Sequence, residues 1–188
     1  LDNEIYRRTP VKVLFLLKET YGGYLNIVGP QLIKNGKRVP FWPNIYNWTK
    51  LSHDYITDVK PKHLTKDKIT NINKYVNNIA YINIKKIEGK SESFESEILD
   101  YAKKDRDILQ YQLNEIRPDI IFTSNLEFYK TIYNIKSMHY LHHKSIKSGK
   151  LCFESIYHSN RLILKIHHPS YLKKQKETFD DVEKLLKL

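Results

Sequence analysis

The chain has few of the residues that staple or punctuate a fold. Among its 188 residues Cys152 is the single cysteine. That excludes an internal disulfide framework, a four-thiolate iron–sulfur cluster and any cysteine-rich zinc module. Six glycines and seven prolines form no Gly/Ser linker, and no repeat or low-complexity tract divides the chain. No apolar run approaches the roughly 18 to 20 residues of a membrane span. The opening Leu1-Asp2-Asn3-Glu4 has no signal-peptide pattern, so the cytoplasm is the expected address and no membrane partner is expected. Acidic residues are scarce as well. Twenty-one Asp and Glu stand against 32 Lys and Arg, for a net charge of +11 and a pI of about 9.5. Such a surface attracts and steers polyanions, which makes nucleic acid the leading partner class. Part of the lysine excess also fits a composition rich in Lys, Ile, Asn and Tyr, as AT-rich coding favours.

What is present suits one globular domain over residues 1–188. The hydrophobic content is 40% and the charged content 28%, and a chain of this length buries a full core without staples. Strand-like and helix-like patterns alternate along it. Residues 11–17 (VKVLFLL) form a short apolar run of the kind buried in a parallel sheet. A stretch over 21–43, punctuated by Gly22-Gly23, Gly29-Pro30 and Pro40-Phe41-Trp42-Pro43, reads as a functional loop region carrying some helix. Helical spacing follows over 66–78, then a second strand over 80–84. A long helix is predicted up to about Ile116, capped by Ser91 or Ser93 and stopped before Pro118. A third strand over 119–123, a short helix over 126–133, and strands over 152–157 and 162–166 across a Ser159-Asn160 turn come next. A helix over 171–188 closes the chain. The alternation implies a three-layer α/β/α domain around a mostly parallel sheet of four or five strands.

Polar residues cluster where these strands end. Lys18-Glu19 follows the first strand, Asn83 sits near the end of the second and Ser124-Asn125 follows the third. His167-His168-Pro169-Ser170 follows the last. Open α/β sheets bind ligands in the crevice outside the carboxyl ends of their strands. A carboxylate, an amide and a histidine from distant stretches are therefore expected to converge on one cleft.

At these residues the sequence resembles the uracil-DNA glycosylase superfamily. The first strand with Leu17-Lys18-Glu19-Thr20-Tyr21-Gly22 is similar to the family's first motif. Tyr81-Ile82-Asn83-Ile84-Lys85-Lys86 resembles the second strand with its base-reading Asn, 118–122 resembles the third strand, and His168-Pro169-Ser170 resembles the final loop. Order and spacing agree from about residue 11 to residue 172. The first motif departs from the pattern. Leu17 or Lys18 stands where a Gly is usual, Thr20 replaces Pro or Ala, and Tyr21 aligns with either Tyr or Pro. The cysteine count excludes the iron–sulfur subgroup.

The resemblance implies a metal-independent, cofactor-free DNA glycosylase acting as a monomer on double- or single-stranded DNA. It would flip out a uracil-type pyrimidine, or a modified pyrimidine of viral DNA, and leave an abasic site in repair or antiviral defence. Glycosidic cleavage passes through an oxocarbenium-like sugar. Glu19 is the expected carboxylate that orients water and supports positive charge. His168 is the expected donor to the departing base, and Asn83 the amide reading its edge. Phe41, with Trp42 and Tyr21 behind it, is the expected stacking surface. Ser170, Tyr171 and Leu172 lie where the family places its duplex-entering loop. Lys85, Lys86, Lys173 and Lys174 are the expected phosphate contacts. Asp54, Asp58 and Glu88 are the reserve carboxylates.

Three other readings compete. A catalytically silent nucleic-acid-binding module on the same fold would share the charge and fit the altered first motif. A small-molecule transferase would want a Gly-rich phosphate loop after the first strand, which Gly22-Gly23 does not supply. His139, His142 and His143, with His158 and His167, raise a metal site, but their spacing matches no zinc pattern and the triplet falls in a segment read as irregular, 137–149. No metal is expected. This loop could instead line the base pocket or the DNA groove.

Overall fold

A computed structural model describes residues 3–21, 33–34, 37–38, 41–60, 64, 75, 79–89, 93–136, 142–148, 151–166 and 175–187. The order is α1 (Asn3–Arg8), β1 (Val13–Leu17), β2 (Thr20–Tyr21), β3 (Ile33–Lys34), β4 (Lys37–Arg38), α2 (Phe41–Ile56), β5 (Ile79–Asn83) and β6 (Glu88–Gly89). Then come α3 (Glu95–Lys104), α4 (Arg106–Ile116), β7 (Ile120–Thr123), α5 (Leu126–Tyr133), β8 (His142–Ser148), β9 (Leu151–His158), β10 (Arg161–Lys165) and α6 (Gln175–Leu186).

The main sheet has six strands in the order β5-β1-β7-β10-β9-β8. The first four run parallel, and β9 and β8 extend the sheet as antiparallel neighbours. β1 is apolar throughout because both its faces are covered. Val13 and Phe15 pack with Ile45, Trp48 and Leu51 of α2 and with Phe179, Val182 and Leu185 of α6. Leu14 and Leu16 pack in a second cluster with Ile98 of α3, Leu113 of α4 and Phe128 and Ile132 of α5. This is the period-two alternation of a strand buried on both sides. Phe15 lies at the centre of an aromatic stack, 5.1 Å from Phe122 and 5.9 Å from Tyr81 between ring centroids. At the amino ends of β1 and β7, Asp119 Oδ2 accepts the Lys12 N–H at 2.7 Å.

The expected mixed α/β class and mostly parallel sheet are present, with differences in detail. The sheet has six strands, not four or five, because 142–148 is strand β8 and not irregular. Its polar, lysine-bearing sequence gave no strand signal and acquires one by pairing with β9. The single helix expected up to Ile116 is broken at Asp105 into α3 and α4. Ile98, Ala102, Leu109 and Leu113 stay in helical phase across the break and join one cluster, so periodicity alone cannot reveal it. Phe94, and not Ser93, occupies the cap position of α3, without a side-chain cap bond, and Ser91 lies outside the described residues. Phe41 and Trp42 open α2 and are not in a loop, with Pro43 in the first turn, where a missing N–H is tolerated. The helix expected over 66–78 lies outside the described residues apart from Tyr75.

Candidate active site

Parallel register brings the strand ends to one edge. Leu17 of β1 stands opposite Asn83 of β5, Leu16 opposite Thr123 of β7, and Lys165 of β10 opposite Thr123. The chain visits β5 on one flank of β1 and β7 on the other. That reversal is the switch point beside which open α/β sheets bind ligands. Beyond the edge, the segments after β1 and β5 stay side by side. Ile84 N–H donates to Leu17 O and Lys85 N–H to Lys18 O, both at 2.9 Å, and Thr20-Tyr21 pairs with Glu88-Gly89. Glu19 sits between these pairings on a backbone held from both sides.

The Glu19 side chain is only 4% exposed, with a hydrogen bond at one oxygen and an ion pair at the other. Ser93 Oγ donates to Oε1, and Lys85 Nζ lies 3.0 Å from Oε2. Lys85, 5% exposed, also reaches Glu97 Oε1 at 2.8 Å and stands 5.6 Å from the Tyr101 ring centroid. Its hydrogen bonds to Glu97 and then to Glu19 hold the ammonium pKa above the ordinary lysine value, outweighing burial. Beside this cluster Glu95 joins two elements: Lys18 Nζ is 3.4 Å from Oε1, and Asn125 Nδ2 donates to Oε2 at 2.9 Å. Asn125 Oδ1 caps α5 by accepting Glu127 N–H at 2.9 Å.

Asn83 shares the carboxyl edge with Glu19 but not its side of the sheet. Strand alternation sets Asn83 with Ile79 and Tyr81, which pack in the α2 cluster, whereas Glu19 engages Ser93, two residues before α3. The Oδ1 of Asn83 and the Oγ of Ser124 are buried without a hydrogen-bond partner among the described residues.

Lys85 differs from expectation. It was to meet phosphate at a basic rim, but its ammonium is buried between two carboxylates. The α3 side of the edge carries Glu19, Glu95 and Glu97 against Lys18 and Lys85, all paired. With three carboxylates against two ammoniums it is a paired, net-acidic cluster and not a basic rim. Lys86 is exposed and donates to Gln112 Oε1 at 3.0 Å. The backbone of Tyr21 lies in β2 and those of Phe41 and Trp42 in α2, while their side chains lie outside the described residues. His168, Ser170, Tyr171, Leu172, Lys173 and Lys174 also lie outside them. Of the reserve carboxylates, buried Asp54 pairs with Lys50 on α2, Asp58 follows α2 with φ 54°, and Glu88 is held in β6.

Sequence reasoning missed Ser93, Glu97 and Tyr101, because helix spacing marks them only as cap, exposed face and core edge. Among the histidines, His142 and His143 lie in β8, and His158 Nδ1 is 3.0 Å from the Tyr129 hydroxyl. Among the described residues no group of three or more His, Cys, Asp or Glu is arranged to hold a metal ion, and no helix is long and apolar enough to cross a membrane. Set against known proteins, the chain matches no protein-family model and no curated protein.

Proposed function

We propose that this protein is a metal-independent DNA glycosylase on a single three-layer α/β/α domain, the two core clusters forming the two faces of the sheet. The observation that carries the reading is the carboxyl edge itself. A buried carboxylate on a doubly braced backbone stands across the edge from an amide whose carbonyl has no hydrogen-bond partner among the described residues. A buried acceptor left unpaired is unfavourable, and a ligand donor such as a pyrimidine N–H would satisfy it. In the reaction, water attacks the sugar C1′ and the C1′–N bond breaks with its electron pair leaving on the base. Glu19 orients the water and supports the cationic sugar. Ser93 and Lys85 each occupy one carboxylate oxygen, and each oxygen keeps a further acceptor site. His168 donates to the departing base, a role that rests on the family resemblance. DNA, approached by a chain of net charge +11, is the substrate polymer, and uracil-type or modified viral pyrimidines are the base class.

The silent-module reading has one observation in its favour: each Glu19 oxygen already faces a protein group, Ser93 at Oε1 and Lys85 at Oε2. Incubating the protein with oligonucleotides bearing different pyrimidines, followed by alkali, separates the two. The enzyme reading expects strand cleavage at one or more bases. It expects Glu19→Gln to slow release ~100- to 1,000-fold while DNA affinity changes little. Binding without release from any substrate would establish the silent module.

A further inference from the structure

We propose that Lys85 is the positioning residue of this site, holding Glu19 as an oriented anion at the carboxyl edge, and that it contacts neither phosphate nor sugar. The inference rests on the glycosylase reading for its catalytic meaning, although the pairing itself stands on geometry. A carboxylate only 4% exposed is unfavourable without a counter-charge and hydrogen bonds. Glu19 receives one of each, the ammonium of Lys85 at 3.0 Å and the hydroxyl of Ser93. Lys85 is fixed in turn by Glu97 at 2.8 Å, whose side chain is 46% exposed, and by the Tyr101 ring at 5.6 Å. Glu97 thus anchors the lysine from the solvent side, and the lysine presents its charge inward. Its backbone is set by the Lys85 N–H to Lys18 O bond, so the ammonium and the carboxylate start from the adjacent segments that follow β5 and β1. The remaining charged groups of the cluster, Lys18 and Glu95, pair with each other at 3.4 Å and leave Glu19 to Lys85.

Two alternatives fit less well. A phosphate contact needs an outward ammonium, and this side chain is 7% exposed with two carboxylates upon it. A Schiff-base nucleophile needs a neutral amine, and both carboxylates favour the protonated form. The abasic product therefore forms no covalent adduct with Lys85.

The test uses Lys85→Met, Lys85→Arg, Glu19→Gln and the double variant Glu19→Gln/Lys85→Met. In urea unfolding, Lys85→Met is expected to lower the midpoint by stranding a buried carboxylate, and the double variant to regain at least half of that loss. Additive losses would overturn the pairing. In single-turnover base release, Lys85→Met is expected to slow cleavage about 100-fold, with Lys85→Arg recovering much of it. DNA affinity should stay within about threefold. Weakened binding with unchanged release would identify a phosphate contact instead, and a borohydride-trapped adduct lost in Lys85→Met would identify a nucleophile; either result overturns the proposal. If the wild type releases no base, the glycosylase reading falls and takes the catalytic role with it, while the unfolding cycle still decides the pairing.

Discussion

A carboxylate and an amide at the ends of neighbouring strands meet different environments here. Glu19 accepts one hydrogen bond, from Ser93, and makes one ion pair, with Lys85, whereas Asn83 Oδ1 is buried with no hydrogen-bond partner among the described residues. Replacing Asn83 by Asp exchanges an amide donor for an acceptor. Such a variant is expected to change which base is released more than how tightly DNA binds, as a panel of modified oligonucleotides would reveal. Two histidines tie stability to pH. Burial, then the nearby Arg161 charge, lowers the His158 pKa, and burial lowers that of His53 against the opposing pull of Asp54. A histidine that binds its proton more weakly when folded leaves stability intact above its ordinary value of about 6.5 and reduces it as the pH falls below. The melting temperature is therefore expected to drop between pH 7.5 and 5, and the drop to shrink in His53→Gln/His158→Gln. A pH-independent melting temperature over that range would contradict the assignment.

Single side chains also decide how the elements join. Asn125 caps α5 through Oδ1 and holds Glu95 of α3 through Nδ2. Asn125→Ala is expected to cost about 1 kcal/mol from the lost cap, measurable by urea denaturation, and Asn125→Ser, which keeps a cap acceptor without setting a second carboxylate against Glu95, to cost less. At the other end of the sheet, Ser159 and Asn160 take φ of 50° and 61°, the two positive values of a tight hairpin turn matched to strand twist. That turn was legible because Ser-Asn falls between two β-rich runs. The neighbouring strand β8 was not, since nothing in its polar sequence signals a partner until β9 lies beside it.

For the molecule as a whole, the net charge of +11 is expected to make DNA affinity fall at least tenfold between 50 and 200 mM salt, as fluorescence anisotropy would record. The α3 side of the site does not supply that attraction, because its three carboxylates outnumber its two cations. Salt-insensitive binding would remove DNA as the substrate polymer. The core is centred on β1, and Phe15, 1% exposed, stacks on Phe122, Tyr81 and Trp48. Phe15→Ala is expected to cost about 3–5 kcal/mol, read from the shift in the unfolding midpoint.

Periodicity and composition are local properties, and they were enough to determine the mixed α/β class, the apolar strands around β1, helix α5, the β9–β10 hairpin and the positions of Glu19 and Asn83 at strand ends. The tertiary structure alone decided that α3 and α4 are separate, because their apolar residues keep one phase across Asp105. It alone decided that a sixth strand joins the sheet, because β8 is a strand only through pairing. And it alone turned Lys85 from an outward cation into the partner of Glu19. Glu19 and Ser93 are 74 residues apart, and an ion pair is governed by distance and burial, which spacing along a chain does not encode.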